Sequence, residues 1–86
     1  MSTNFVGVDF ELILKLDGST DSINLGNAGA PSSFNGSSNQ GVVVRSAPLI
    51  DGVTITVSFS SGVLIEFSSA PPAGIYRFAL TALYGA

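Results

Sequence analysis

Asp9 and Glu11 are the closest approach to a catalytic pair in this 86-residue chain. They stand two residues apart in an alternating run, so both project from one strand face with roots roughly 7 Å apart. Glycoside hydrolases place carboxylate pairs at comparable separations, but any solvated strand face bearing two acids has the same spacing. No third polar group is set to drive the two pKa values apart, and no nucleophile stands beside a base. Asp17-Gly18-Ser19-Thr20-Asp21-Ser22 opens like a calcium loop, with oxygen-bearing side chains at intervals. An EF-hand needs glycine at its sixth position and a bidentate glutamate at its twelfth. Those positions hold Ser22 and Ala28, so a turn after a strand is the plainer reading. Thr54, Thr56, Ser58 and Ser60 make a hydroxyl row of the kind that can meet sugars or ice when several rows or an aromatic platform accompany it. Alone, it reads as an uncharged solvent face on a strand.

Composition removes most other chemistry. There is no cysteine and no histidine, hence no disulfide, no thiolate nucleophile, no zinc–thiolate site and no imidazole base. The reading is non-enzymatic, with no cofactor and no metal. Lys15, Arg45 and Arg77 face six acids for a net charge of −3, too little positive charge to neutralise a series of phosphates, so no nucleic-acid partner is expected. Met1-Ser2-Thr3-Asn4 lacks the basic start and apolar stretch of a secretory signal, and no apolar run reaches membrane-spanning length. The expectation is a soluble, complete chain made in the cytoplasm, without a membrane partner.

The anomaly is charge. Only 10% of residues are charged, against about 25% in ordinary soluble domains, and the mean hydropathy is +0.49. A folded monomer of this mass exposes roughly 4,800 Å², which nine charges cover thinly. Either Ser, Thr, Asn and Gly supply an uncharged polar surface, or copies of the chain bury one another's surface; the second reading is favoured.

The elements are strands. In residues 5–16, Val6, Val8, Phe10, Leu12, Leu14 and Leu16 alternate with Phe5, Gly7, Asp9, Glu11, Ile13 and Lys15, a period of two throughout. Ile23 and Leu25 suggest a short second strand. Residues 26–41, rich in Gly, Ser and Asn, read as a long loop, with Asn35-Gly36 as the tip of a possible small type I′ hairpin. Val42-Val43-Val44 starts a strand that Pro48 closes. From Val53 to Ser68 the alternation specifies a hairpin. A three-residue loop, Ser60-Ser61-Gly62, pairs Phe59 with Val63, Val57 with Ile65 and Ile55 with Phe67, and puts glycine where a left-handed residue is needed. Val53–Phe59 carries no charge and becomes an aggregation hazard if it is an uncovered edge. Residues 75–84 form a last strand with Tyr76, Phe78, Leu80, Ala82 and Tyr84 on one face. Ile75, Ala79 and Leu83 make the other face largely apolar too, and a strand apolar on both sides is usually covered on both sides. The fold class is all-β: a small antiparallel β-sandwich or barrel of five to six strands in one domain.

Pro72-Ala73-Gly74-Ile75-Tyr76-Arg77-Phe78, following the Ser58–Ser68 hairpin, resembles the P-x-G-x-Y-x-F strand of jelly-roll and sandwich modules in bacteriophage virion proteins. The Ser/Gly/Asn/Thr-rich, Cys-free style is also similar to that of small phage tail and capsid-decoration proteins. The resemblance implies a structural protein of a virus particle, located in the virion. With the charge deficit, it gives the expectation of a homo-oligomer, a trimer favoured, that contacts other virion proteins through apolar strand faces. The interface candidates are Ile75, Ala79 and Leu83 on the last strand, Phe5 and Ile13 on the first, and Phe34. Arg45 and Arg77 pair with acids either within the subunit or across an interface. The alternative is a carbohydrate-binding or adhesin-like module that holds a glycan with the 26–41 loop.

Overall fold

Strict period-two alternation cannot be satisfied by a helix, and the computed structural model resolves it as strands throughout. It describes residues 4–27, 30–34, 36–59 and 62–85. In chain order the strands are β1 (Phe5–Leu16), β2 (Ser22–Asn24), β3 (Ser33–Phe34), β4 (Ser37–Ser46), β5 (Ile55–Phe59), β6 (Val63–Phe67) and β7 (Gly74–Gly85). They form two antiparallel sheets, β1-β7-β4-β3 and β2-β6-β5, the larger one curled into a half-barrel. The all-β, sandwich-like class is as the alternation predicts. No helix long and apolar enough to cross a membrane occurs among the described residues.

The core lies between the sheets. Leu12 and Leu16 of β1 and Phe78 and Leu80 of β7 meet Val63, Ile65 and Phe67 of β6, with Phe10, Leu14, Ile23 and Ile55 packed around them. A second, smaller cluster of Ala30, Ala82 and Tyr84 extends the core toward Val8 and Phe10. The domain is accordingly long and thin, 42 × 18 × 18 Å. Tyr84 is buried and Tyr76 partly buried, and both direct their hydroxyls to proline carbonyls: Tyr76 Oη donates to Pro72 O at 2.6 Å, and Tyr84 Oη donates to Pro31 O. Each ring thus joins the apolar layer without leaving a polar atom unpaired.

Two expectations need correction. Residues 26–41 are not one long loop. Ser33 and Phe34 pair with Ser38 and Ser37, and Gly36, in the connection between them, has a positive φ of 79°. The following strand begins at Ser37, five residues before the valines, because β7 offers it a partner: Asn39 lies opposite Tyr84 and Gly41 opposite Leu83. That ladder overrides the poor strand propensity of Ser, Asn and Gly. With β3 included, seven strands occur among the described residues, more than the five to six expected. The strand expected to start at Val53 starts instead at Ile55, since Val53 N donates to Ile50 O across a turn in which Gly52 takes a φ of +73°. Met1–Thr3, which lack a signal pattern, and Ala28, Gly29, Asn35, Ser60 and Ser61, to which the sequence assigns loop or turn roles, lie outside the described residues.

The β5–β6 register follows the three-residue loop: Ile55, Val57 and Phe59 face Phe67, Ile65 and Val63. Gly62 has a φ of +136°, and a Cβ placed there would come within 2.8 Å of the Gly26 Cα. Both the backbone conformation and the close approach of the 26 turn require glycine. Gly62→Ala should therefore lower stability by about 1–3 kcal/mol, whereas Gly41→Ala, where nothing lies within 4 Å of the added carbon, should change it by less than about 1 kcal/mol. Urea denaturation of the two variants measures the difference.

Candidate functional site

β7 has β1 on one side and β4 on the other. Its inner face is the core, and its outer face carries Ile75, Arg77, Ala79, Thr81 and Leu83. The β1 register sets Lys15, Ile13, Glu11, Asp9 and Gly7 beside them in that order, and β4 sets Val43 beside Thr81 and Gly41 beside Leu83. Three strands distant in sequence thereby build one outer face.

A polar band crosses its middle. Thr81 Oγ1 donates to Asp9 Oδ1 at 2.7 Å and accepts from Arg45 Nε at 2.9 Å. Arg45 Nη2 also donates to Leu80 O at 3.0 Å, and its Nε stands 3.5 Å from Asp9 Oδ1. Arg77 Nη1 lies 3.5 Å from Glu11 Oε1. These contacts tie β1, β7 and β4 together, but the ion pairs are solvent-exposed and individually weak. Gly7 is part of the same fit, because a side chain there would meet the Thr81 methyl at 2.8 Å. The two acids that suggested a hydrolytic pair are thus each held by an arginine of the sheet.

Apolar side chains flank the band. Phe5, Ile13, Ile75 and Val43 are 53, 55, 65 and 46% exposed, while Ala79 and Leu83 are half-buried between their neighbours. Nothing else in the described chain covers this face. Of the expected interface residues, the sheet brings together Phe5, Ile13, Arg45, Ile75, Arg77, Ala79 and Leu83. Phe34 lies apart. Its ring folds back to 5.9 Å from that of Tyr84, on the inner side of β7, and retains 38% exposure.

No protein-family model, curated protein or solved structure matches the chain.

Several residues escape sequence reasoning. Val43 reaches the outer face through β4–β7 pairing, where it lies beside Thr81, and a non-sequential strand order conceals this. Val44, 41% exposed, sits at a register shift. Leu49 is fully exposed in the loop before β5, and no periodic signal marks it. It borders an open depression formed with Pro48, Ile50, Val53 and Ile55, in which Asp51 is the one charged side chain.

The Asp17 loop has its oxygen atoms turned inward on themselves. Asp17 Oδ1 accepts hydrogen bonds from Ser19 N at 2.9 Å, Ser19 Oγ at 2.9 Å and Thr20 Oγ1 at 3.1 Å. This is a side-chain-closed turn, and among the described residues no three acidic side chains gather to hold a cation. The hydrogen bond from the Ser19 backbone, then those from the Ser19 and Thr20 hydroxyls, hold the Asp17 carboxyl below its ordinary 3.8. A depressed carboxylate pKa contributes stability that is complete above the unfolded value and is lost as pH falls through the folded one. Asp17→Asn keeps the acceptor and removes the titration, so its denaturation midpoint should fall less steeply than the wild type's as pH drops below 3.8. Parallel acid titrations of thermal midpoint check this.

Proposed function

We propose that the chain is a non-enzymatic structural protein that self-associates through the outer face of the β1-β7-β4 sheet, as a building block of a virus particle of the bacteriophage type. One observation carries the self-association: β7, inside the larger sheet, has Ile75, Ala79 and Leu83 on the side away from the core, and among the described residues only its core side is covered. Ile13 and Ile75 at one end of the face, beside Arg77 and Lys15, and Phe5 and Val43 toward the other are exposed. At about 25 cal/mol per Å², burying a few hundred Å² of such surface per subunit is worth several kcal/mol before association costs. Repetition of the contact in a closed ring or lattice adds to its persistence by avidity.

Placement in a virion, as a capsid or tail component in contact with other virion proteins, rests on the resemblance of Pro72–Phe78 and on the Ser/Gly/Asn/Thr-rich composition. A homo-oligomer suits that setting, because few intrachain charges are needed where copies shield one another. The glycan-binding alternative relied on an open polar 26–41 loop, and much of that stretch is strand with Phe34 folded against Tyr84.

The test is incorporation. In purified virus particles made with the wild-type chain, mass spectrometry should recover it at fixed stoichiometry. Ile13→Ser/Ile75→Ser, folded by circular dichroism, should be recovered at about one tenth of that level or less. Absence of the wild-type chain from particles would overturn the virion placement, and undiminished recovery of the variant would overturn the role of the face.

A further inference from the structure

The free edge of β1 is a second surface, distinct from the face. β1 is twelve residues long, its pairing with β7 runs from Phe5 to Leu16 without a register shift, and β7 is the one strand alongside it. β5, also at a sheet edge, lies against β4 across the corner between the sheets. Sheet edges left open in monomers are usually blunted by short length, proline, a bulge or several inward charges. β1 has no proline, no bulge and no charge on its inner side. Four of its six inner residues, Val6, Val8, Phe10 and Leu14, are only half-buried.

Resting on the self-association reading, we infer that β1 pairs antiparallel with β1 of a second copy about a two-fold axis at Ile13, joining two four-stranded sheets into one of eight strands. Charge selects the register. Inner residues must meet inner residues, so the axis falls on a residue of β1, and placing it on Asp9, Phe10 or Glu11 sets acid opposite acid. An axis on Leu14 pairs Lys15 with Ile13 and gives it no acid. An axis on Leu12 gives Lys15 the Asp9 carboxylate, which Thr81 and Arg45 already occupy, and sets Glu11 against Ile13. An axis on Ile13 stacks that exposed side chain on its own copy and sets Glu11 opposite Lys15 twice; it also turns Asp9 toward Asp17, which lies past the end of β1 with its carboxylate engaged by Ser19 and Thr20. Lys15 is the one cation without an ion pair among the described residues. Glu11 holds Arg77 by a single 3.5 Å contact and is 58% exposed, so it remains available. On the inner side, the same register puts Leu12 beside Leu14 and Phe10 beside Leu16, adding apolar cover where β1 lacks it.

This edge contact is two-fold and runs along the backbone rim of β1, whereas contact through the face runs over the outward side chains of β7 and β4, with Ile13 shared by both. The two together extend an assembly that either alone would close.

A charge swap tests the register. Glu11→Lys and Lys15→Glu should each raise the dissociation constant of the edge-paired dimer about tenfold by sedimentation, and the Glu11→Lys/Lys15→Glu double variant should restore it. Because the chain has no cysteine, Ile13→Cys is a unique thiol. Under mild oxidation it should give a disulfide-linked dimer, as directly opposed residues of antiparallel strands permit, while Ile75→Cys should not. An oligomeric wild type with no rescue by the double variant, or no Ile13→Cys cross-link, overturns the edge contact and leaves face association standing. A wild type that is monomeric throughout overturns both.

Discussion

Everything in this molecule depends on the ladder that β7 makes with β1 on one side and β4 on the other. Twelve consecutive pairs hold β1 to β7, and β4 follows the opposite edge with two register shifts. That arrangement presses Phe78, Leu80, Ala82 and Tyr84 onto the core while fixing Ile75, Ala79 and Leu83 on the reverse side. A side chain period of two leaves no other choice: if one row is inside, the alternate row is outside. Since both rows of β7 are apolar, a chain that solves its own folding problem is left with a second greasy surface.

The polar band on that surface contributes geometry more than energy. Thr81 sits between Asp9 and Arg45 and links the first, last and middle strands of the sheet through one hydroxyl. Exposed pairs of this kind stabilise little, yet with Lys15 they set charge among the apolar side chains, Arg77 beside Ile13 and Lys15 beside Ile75. Such a pattern of charges would give register to any contact made over it. The band itself uses two of the three cations, leaving Lys15 near the end of β1.

Much of this was legible from the residues. β1 and the β5–β6 hairpin are strongly alternating, and one glycine, Gly62, decides the hairpin loop length because its conformation and its neighbour Gly26 both exclude a side chain. The stretch from Ser37 to Gly41 was not legible. Its serines, asparagine and glycine carry no strand signal, and what makes it a strand is the waiting edge of β7. The outer face was legible strand by strand but not as a surface. Thr81 lies 36 residues from Arg45 and 72 from Asp9, and only the order β1-β7-β4 brings the three together. Phe34 reads from the sequence as an interface residue, and its ring lies against Tyr84 on the inner side of the sheet.

The account turns on whether one copy can leave that surface wet. Light scattering on the wild-type chain across a dilution series from millimolar to sub-micromolar decides it. A native mass that is a multiple of 8.8 kDa over most of that range is the expected result, and an 8.8 kDa particle at every concentration would contradict the account.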